Sequence, residues 1–409
     1  MKVLMWEHFA PGGPIRVGGH HFAGRFLRDG AHLAWCVGPV SPANVLKSND
    51  ETRARMDLWR RGGSRHDDGR MFAYAPMTLL PWRRRPILDS RTVARLTLRA
   101  TWPRFGGVLA QAGFARPDLL WMEPGAPLLS LLDGVPHARS VYRMCDDTAA
   151  FPDTPRSFAR IEEEVCRRVD LVLATARSLE RRARSLGARS VVYLPNACDP
   201  DPFAARGQAE PADLRGVPRP RAVYAGAIDS WLDVPLLADA ARRLPRWSFV
   251  LIGPRRADLT ALAECPNVRL LGPRPYVDLP GYLAASDAGL VPFRLSPMTH
   301  AVHPIKVYEY CAAGLPVVAT PMEETVAMGA PLLLADGGEA FAAALASTRA
   351  ADGGKARAAR VAFAQRNTWD IRYAALRAAL LDVAPESGAG AEAECAPDPP
   401  PRRAAGGIR

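Results

Sequence analysis

The 409-residue sequence lacks three features that would each have assigned it to a particular class of protein. Its seven cysteines are scattered and form no CxxC pair or other metal-ligand spacing, so we expect neither a disulfide framework nor a zinc site. No window approaches the length of an apolar transmembrane span. The first residues also lack the long apolar stretch of a signal peptide, so we expect a cytoplasmic protein.

Lysine is scarce and arginine is abundant, and basic residues outnumber acidic ones by 53 to 42, which gives a net charge of +11. A basic surface attracts anions such as nucleic acid, acidic lipid headgroups or phosphorylated substrates. High arginine and proline content also accompanies a GC-rich genome, so the charge alone does not choose between an anionic partner and none. Hydrophobic residues make up 48% of the chain, enough for two cores.

The pattern of apolar residues alternates between strands and helices. The chain opens with a predicted strand at Lys2–Trp6, a glycine-rich loop that runs to Gly18 and Gly19, a helix at His20–Arg28 and a strand at Ala31–Val37. Residues 41 to 105 are polar, rich in proline and arginine, and weakly periodic. A second series of strands and helices begins after residue 220.

The change of character at a proline- and glycine-rich stretch defines the predicted domains. These are an N-terminal Rossmann-like domain (1–200), a linker (201–220), a second Rossmann-like domain (221–367), a C-terminal helix (368–384) and a disordered tail (385–409). In two such α/β domains the ligands bind at the carboxyl ends of the strands. The order of elements therefore predicts a ligand with two parts, bound in a cleft between two parallel sheets.

The most informative stretch runs from His303 to Thr320 and reads HPIKVYEYCAAGLPVVAT. Pro304 stands where the first residue of a helix belongs, and the amides and dipole of a helix start favour an anion such as a diphosphate. Lys306 adds a positive charge, and Glu309 follows on the same helix face. A carboxylate there can accept hydrogen bonds from a ribose diol. Taken alone, a Lys-x-x-Glu pair would be an ordinary surface pair.

This string resembles the Pro-x-Lys-x-x-Glu-Tyr-x-Ala-x-Gly-x-Pro-Val-Val-Ala-Thr signature of GT-B glycosyltransferases, in particular family 4 and its relatives in bacterial polysaccharide synthesis. Tyr193–Asp199 and Tyr224–Asp229 are similar to the segments that end the first domain and open the second domain of that family. The resemblance implies an α/β fold of two Rossmann-like domains that face a central cleft, with the C-terminal helix packing back toward the first domain.

The resemblance also implies a set of site residues. Lys306 would contact the diphosphate of the donor, and Glu309 would contact its ribose hydroxyls. The remaining donor-binding residues of this set are Ile305, Val307, Gly226, Gly253 and Tyr276. Gly18 and Gly19 would let the backbone of the N-terminal loop approach the phosphate or the acceptor, although they also fit a plain tight turn.

One position departs from the family pattern. Many family 4 enzymes carry a second glutamate eight residues before the ribose-binding one, and here that position is Ala301. The residue that usually contacts the donor sugar is therefore missing. This leaves the sugar and the retaining outcome open, and it is compatible with an inverting branch similar to the bacterial glucuronosyltransferases of exopolysaccharide assembly.

Two adjacent carboxylates, Asp146 and Asp147, follow a predicted strand at Ser140–Met144. A pair of like charges raises one pKa, which suits the general base that an inverting transferase needs. We predict Asp146 as this catalytic residue, with Glu123 in reserve. The alternative is that the aspartates only cap the next helix. For His20 and His21, beside the glycine-rich loop, we expect surface roles.

Residues 81 to 105 combine tryptophans and many arginines with interspersed aliphatic residues and a single acid, Asp89. Such a segment can lie at a membrane interface and contact anionic lipid, or it can be a solvated surface segment. Arginines interleaved with aromatics also suit single-stranded nucleic acid, but no nucleic-acid-binding signature accompanies them, so we expect no nucleic-acid partner.

The function predicted from the sequence is transfer of a sugar from a nucleoside-diphosphate-sugar, UDP-sugar by default, to a lipid-linked or glycan acceptor in cell-surface polysaccharide synthesis. No metal is expected, because Lys306 and helix amides would neutralise the leaving diphosphate. Peripheral contact with the inner face of an anionic membrane is a further expectation. The alternatives are a sugar-nucleotide epimerase or phosphorylase of the same fold and a nucleotide-sugar-binding protein that has lost catalysis.

Overall fold

The structure is a computed structural model that describes residues 1–13, 15–45, 50–205, 207–351 and 353–383. The predicted tail at 385–409 lies outside these residues. They form two α/β domains, each built on a mainly parallel sheet, and this confirms the predicted fold class. No helix in the described part of the chain is long and apolar enough to cross a membrane.

The first domain contains an eight-stranded sheet in the order β3-β4-β2-β1-β5-β6-β7-β8, in which only the β3–β4 pair is antiparallel. Its strands are β1 (Lys2–Glu7), β2 (His32–Val37), β3 (Ser64–His66), β4 (Met71–Tyr74), β5 (Leu119–Met122), β6 (Arg139–Met144), β7 (Leu171–Ala174) and β8 (Val191–Tyr193). Its helices are α1 (Gly18–Arg28), α2 (Pro42–Val45), α3 (Asp50–Arg60), α4 (Arg91–Leu96), α5 (Phe105–Gln111), α6 (Leu128–Gly134), α7 (Phe158–Arg168) and α8 (Arg177–Ser185). The central strands are buried on both faces, as their apolar sequences require.

The second domain contains a fully parallel sheet in the order β11-β10-β9-β12-β13-β14. Its strands are β9 (Arg221–Ala225), β10 (Ser248–Ile252), β11 (Val268–Gly272), β12 (Ala288–Val291), β13 (Val317–Ala319) and β14 (Leu332–Leu334). The helices after the first domain are α9 (Asp201–Ala204), α10 (Val234–Arg243), α11 (Thr260–Ala263), α12 (Leu279–Ala284), α13 (Pro297–His300), α14 (Ile305–Ala312), α15 (Glu323–Ala327), α16 (Gly338–Ala351), α17 (Gly354–Gln365) and α18 (Trp369–Asp382). Strand order reverses between β9 and β12, so a ligand crevice opens there.

The last helix returns to the first domain. Trp369, Tyr373 and Leu376 of α18 join the apolar cluster on the α1 face of the first sheet. Arg25 of α1 donates to Asp370 of α18 at 2.9 Å, which adds a polar contact to the apolar one. The chain therefore crosses between the domains twice, once near residue 200 and again before α18.

Two parts of the chain are more ordered than the sequence indicates. The described residues between 42 and 111 contain an antiparallel strand pair and four helices, which escaped prediction because most of these elements are short and several carry exposed arginines. The predicted linker packs against the second domain, where Phe203 and Leu214 are buried in the core. Its prolines and glycines form short turns within a packed segment, and the segment is not a flexible linker.

Candidate active site

The crevice of the second domain is lined by two tight turns that follow adjacent strands. Gly226 follows β9 and Gly253 follows β10, and both have positive φ angles, +154° and +148°. A Cβ atom at Gly253 would stand 1.9 Å from the carbonyl oxygen of Gly226, so the two turns touch through backbone alone. Both positions were predicted to lie near the nucleotide, and the structure places them side by side at the carboxyl end of the sheet.

Lys306, in the first turn of α14, reaches the same place. A Cβ atom at Gly226 would stand 3.1 Å from Lys306 Nζ, so the absence of a side chain there makes room for the ammonium group. The ammonium lies 5.0 Å from the ring centre of Tyr224 and 4.8 Å from that of Phe293, both within cation–π range. Burial lowers the pKa of Lys306 to about 8, against the opposing effect of Glu309. A bound anion would restore the charged form.

Glu309 lies one turn further along α14 and is 6% exposed. Its Oε1 accepts a hydrogen bond of 2.9 Å from the hydroxyl of Tyr276, which belongs to the 3-10 turn Tyr276–Asp278. Burial raises the pKa of the Glu309 carboxyl, and the hydrogen bond from Tyr276 and the charge of Lys306 oppose this rise. The structure thus brings together five of the predicted donor residues: Lys306, Glu309, Tyr276, Gly226 and Gly253.

Two other predicted donor residues differ from this group. The side chain of Val307 is fully buried in the core of the second domain, so only its backbone could meet a ligand. Ile305 packs against the apolar cluster of the first domain. Pro304 is the N-cap residue rather than the first helical residue, because α14 begins at Ile305. One face of α14 packs against the protein core and another faces the crevice, and the sequence motif does not indicate which residues lie on which face.

The wall of the cleft opposite α14 is formed by the start of α1, in the first domain. Gly18 and Gly19 were predicted to lie in a loop, but they form the first turn of the helix, and both are buried. A Cβ atom at Gly18 would stand 2.2 Å from Arg143 Nη2, and one at Gly19 would stand 2.1 Å from Glu7 Oε1. The helix start therefore rests directly on two charged side chains that project from β6 and β1.

The charged side chains beneath α1 form a buried group, and it includes Glu7, which was not among the predicted site residues. Arg143 Nη1 pairs with Glu123 Oε1 at 2.7 Å, and these side chains are 3% and 6% exposed. Burial, together with the nearby charge of Glu123, raises the pKa of Glu7 well above its ordinary value. A single acid at the end of a strand gives no sequence pattern, so only the fold brings these residues together.

Asp146 lies two residues beyond the end of β6, beside this buried group, and is partly exposed. Burial raises the pKa of Asp146 to about 7, with Arg143 opposing the rise and Glu123 and Asp147 adding to it. The capping alternative fails for this residue, because α7 has Ser157 as its N-cap and the 3-10 turn Thr148–Ala150 has Asp147. Asp146 is thus an accessible carboxyl group that exchanges its proton near neutral pH, as a general base requires.

A chain of hydrogen bonds links this edge of the first sheet to the start of α14. Arg143 Nη2 donates to Asn196 Oδ1 at 2.7 Å, and Asn196 Nδ2 donates to the carbonyl oxygen of His303 at 2.7 Å. His303 lies two residues before α14, and Asn196 is 8% exposed. Asn196, near the end of the first domain, therefore joins the two sides of the cleft through hydrogen bonds to both domains.

The prediction of a surface role is wrong for His21. Its side chain is buried, donates a hydrogen bond of 2.9 Å from Nδ1 to the Asp199 carboxylate and stacks on Trp369. Its ring also lies 6.0 Å from that of Tyr276. His20 is half-buried and lies against Trp35. Helix α1 packs between the sheet and α18, so its first turn has little exposed surface.

Two further residues complete the geometry. Arg16, in the loop before α1, places its guanidinium 5.7 Å from the ring centre of Tyr276, so the first domain contributes a cation above the donor crevice. Ala301, at the position of the missing glutamate, is 3% exposed and packs against the core of the first domain. In the described part of the chain, no group of three His, Cys, Asp or Glu side chains is arranged as a metal site.

Comparison with known proteins assigns a family to each domain. Residues 5–175 match the family described as "Glucuronosyltransferase GumK, N-terminal domain", and residues 219–349 match "Glycosyl transferases group 1". A curated relative from Bacillus subtilis (strain 168), described as "Putative teichuronic acid biosynthesis glycosyltransferase TuaH", is 30% identical over 240 residues. That match covers 54% of this chain and spans 60% of the relative.

Solved structures share the whole fold at low identity. Sucrose-phosphate synthase from Thermosynechococcus elongatus superposes with a TM-score of 0.68 at 15% identity, covering 93% of this chain and 98% of that one. HepE from Anabaena, in complex with UDP and glucose, gives 0.64 at 16% identity, covering 93% and 99%. Residues 5–175 and 219–349 thus each match a glycosyltransferase family, and the whole chain shares the fold of these two solved structures.

Proposed function

We propose that the protein transfers a sugar from a UDP-sugar to a hydroxyl group of a lipid-linked or polysaccharide acceptor in cell-surface glycan synthesis. The observation that carries this proposal is the donor cluster, in which Lys306, Glu309 and Tyr276 converge on the turns at Gly226 and Gly253. UDP is the favoured nucleotide because HepE is solved with UDP and glucose, and trehalose-6-phosphate synthase from E. coli with UDP-2-fluoro glucose. The name of TuaH favours a polysaccharide product.

Each part of the donor has a complementary group in this crevice. The diphosphate would lie at the start of α14, where Lys306 and, from the opposite wall, Arg16 supply positive charge. The ribose would replace the Tyr276 hydroxyl as a hydrogen-bond donor to Glu309. Charge that develops on the leaving diphosphate is then neutralised by groups that are already in place, without a metal.

The proposed chemical step is a direct displacement. Asp146 takes the proton from the acceptor hydroxyl, the acceptor oxygen forms a bond to the anomeric carbon, and the bond from that carbon to the diphosphate breaks. Nucleoside diphosphate leaves, and the configuration at the anomeric carbon is inverted. Ala301 supports this route, since a small buried side chain stands where family 4 enzymes commonly have a glutamate that contacts the sugar.

The proposal includes peripheral contact with an anionic membrane, through an exposed surface of the first domain. Leu79, Ile87 and Trp102 are 70%, 90% and 71% exposed, which is unusual for large apolar side chains. The arginines of the same segment, at positions 83–85, 99 and 104, are exposed as well. Apolar side chains among cations suit the headgroup region of a bilayer, where a lipid-linked acceptor is held.

The test of the donor site is a thermal-shift screen of wild type, Glu309→Ala and Lys306→Ala with UDP, GDP, ADP and TDP, each alone. A nucleotide at a hundred times its dissociation constant adds roughly 2.7 kcal/mol of stability. We expect UDP to stabilise the wild type and neither variant. Turnover of UDP-sugar should fall on the order of 100-fold or more in Lys306→Ala, as when one transition-state charge partner is removed.

The matched control is Glu339→Ala, which removes an exposed glutamate in the first turn of α16 whose ion-pair partner is Arg243 of α10. It should retain the full shift with UDP. Stabilisation by no nucleotide would contradict the proposal. Stabilisation by UDP without transfer to any acceptor would favour a nucleotide-sugar-binding protein that has lost catalysis. Production of an epimer from donor alone, without acceptor, would instead show a sugar-nucleotide epimerase.

A further inference from the structure

The side chain of His21 is buried, yet one of its ring nitrogens has no hydrogen-bond partner. His21 belongs to α1 of the first domain and is 5% exposed, and its Nε2 atom is unpaired among the residues that the structure describes. A polar atom buried in this way has lost its hydrogen bonds to water, so native folds rarely leave one unpaired. An unpaired nitrogen beside a ligand crevice therefore indicates a partner that becomes available when the ligand binds.

The other ring nitrogen determines what kind of partner Nε2 can take. Nδ1 lies 2.9 Å from a carboxylate oxygen of Asp199, which can only accept, so Nδ1 carries the proton. Burial lowers the pKa of His21 below its ordinary value, against the opposing effect of Asp199, so the ring is neutral at pH 7. Nε2 of a neutral ring with its proton on Nδ1 is an acceptor, and its missing partner is an O–H or N–H group.

Trp369 packs against His21 but does not supply that donor. The two rings are 4.8 Å apart between centres and lie within 11° of parallel. Trp369 Nε1 also lacks a partner among the described residues, but in a face-to-face stack its N–H bond and the lone pair of His21 Nε2 lie in separate parallel planes. The stack instead holds the imidazole in one orientation, and Nε2 keeps a fixed direction.

The hydroxyl of Tyr276 is a donor that loses its present partner when a nucleotide binds. It donates to Glu309 Oε1 at 2.9 Å, and in the proposed function the ribose takes over that oxygen. The ring of Tyr276 meets the ring of His21 edge to face, with 6.0 Å between centres and 73° between planes. Binding of the ribose thus releases a hydroxyl next to a buried acceptor that has no partner.

We propose that His21 is a positioning residue for the donor, and that the Tyr276 hydroxyl moves its hydrogen bond from Glu309 to His21 Nε2 when the ribose binds. This inference rests on the proposed function and adds a residue of the first domain to the donor site. Because His21 lies in the first domain and Tyr276 in the second, the new bond joins the two walls of the cleft only when ribose hydroxyls are present. Glu309 recognises the ribose directly, and His21 recognises it through the released tyrosine.

The test compares two substitutions that separate the roles of the two ring nitrogens. Asparagine places an amide where Nδ1 stands and nothing at Nε2, whereas the longer glutamine reaches the position of Nε2. By calorimetric titration, UDP affinity should fall about tenfold in His21→Asn, the net value of one hydrogen bond, and stay within about threefold of wild type in His21→Gln. A purely structural role through Asp199 predicts the reverse order and would contradict the proposal.

Tyr276→Phe provides the matched background for a double-mutant cycle. It lacks the hydroxyl, so neither the bond to Glu309 nor the bond to His21 forms, and His21→Asn should not change its affinity for UDP. Dideoxy-UDP, which lacks both ribose hydroxyls, does not displace Tyr276 from Glu309, so wild type and His21→Asn should bind it equally. A loss of affinity in His21→Asn that persists in the Tyr276→Phe background or with dideoxy-UDP would show that His21 does not act through Tyr276.

A second measurement uses the wild-type protein and does not depend on how a variant folds. The nitrogen chemical shift of Nε2, observed in protein labelled at histidine and assigned by its absence from His21→Gln, moves upfield when the lone pair accepts a hydrogen bond. We expect UDP to cause this shift and dideoxy-UDP not to cause it. No shift at saturating UDP, or equal UDP affinity of wild type and His21→Asn, would overturn the role of His21. Failure of wild type to bind UDP is a different result, which would contradict the proposed function itself.

Discussion

At the residue scale, the central feature is one carboxyl group with an altered pKa. Asp146 combines partial exposure with a buried, charged surrounding, so its carboxyl exchanges a proton near pH 7 rather than near 4. A base acts only when ionised, and a pKa close to the working pH balances the ionised fraction against proton affinity. The activity should therefore depend on pH in a range where ordinary aspartates do not titrate.

We expect kcat/KM of the wild type to rise with pH to a midpoint near 7, because Asp146 must lose its proton to act. Asp146→Asn should lose this limb of the profile and 100-fold to 10,000-fold of the rate, the usual range for a general base. The measurement is turnover of UDP-sugar with acceptor between pH 5 and 9.

Stability provides an independent check on the same group. A pKa raised in the folded state means that the stability contributed by Asp146 is present below its ordinary pKa and is lost as pH rises through 7. Asp146→Asn should therefore gain melting temperature relative to wild type at pH 8.5 and gain least at pH 5. An equal difference at both values would show that Asp146 has an ordinary pKa.

Some of the site residues could be predicted from the sequence and others could not. Lys306 and Glu309 could be predicted because one helix fixes their spacing, and their surroundings follow from the fold of one domain. Glu7 and Arg16 could not, because their significance depends on residues more than 100 positions away, Glu123 and Tyr276. His21 was misjudged for the same reason, since Trp369 covers it.

At the element scale, the donor crevice depends on how closely two turns approach each other. Gly253 touches the carbonyl of Gly226, and that close approach places the ends of β9 and β10 around Lys306. The strands and most helices of the second domain were predictable, since each is a short apolar run bounded by glycine or proline. The elements between residues 41 and 110 were not, because their apolar periodicity is broken by exposed arginines.

We predict that Gly253→Ala destabilises the protein by roughly 2 to 4 kcal/mol, because the new methyl group overlaps a backbone carbonyl at a strained φ angle. Displacement of the turn should also weaken binding of UDP. Urea unfolding and UDP titration measure the two effects.

Gly337→Ala is the matched control, since Gly337 has a positive φ of +77° but open space where the methyl group would stand. Gly337→Ala should lower the free energy of unfolding by about 1 kcal/mol, because alanine disfavours the positive φ angle, and it should leave UDP affinity unchanged. Equal losses in the two variants would show that the close approach at Gly253 has no part in shaping the crevice.

At the scale of the whole molecule, function requires the two domains that form the cleft to keep a fixed position relative to each other. Asn196 bridges Arg143 of β6 and the carbonyl oxygen of His303, which precedes α14. Glu324 adds a second link, accepting from the backbone N–H of Arg177 at 2.6 Å across the same boundary. The sequence predicted two domains and the return of the last helix, but these bridges depend on the arrangement of both domains.

Asn196→Ala should lower the free energy of unfolding by about 1 to 3 kcal/mol, because Arg143 Nη2 and the His303 carbonyl oxygen each lose their hydrogen bond to the asparagine. We also expect kcat to fall while UDP affinity is retained, since the donor crevice lies within the second domain. Urea unfolding, UDP titration and steady-state kinetics measure these quantities.

The control is Asn267→Ala, which removes an amide that donates to three carbonyls within the second domain, Ala241, Leu244 and Trp247. It should lose comparable stability and keep its kcat. A similar loss of kcat in both variants would indicate that general destabilisation, and not the link between the domains, lowers the rate.

The position of α18 on the first domain has a consequence for synthesis on the ribosome. The apolar face of α1 and the first sheet is covered by Trp369, Tyr373 and Leu376, which are made more than 160 residues after the first domain has emerged. Until then that face is exposed to solvent. The nascent chain is thus most vulnerable to aggregation, and most in need of a chaperone, in its first domain, which is synthesised first.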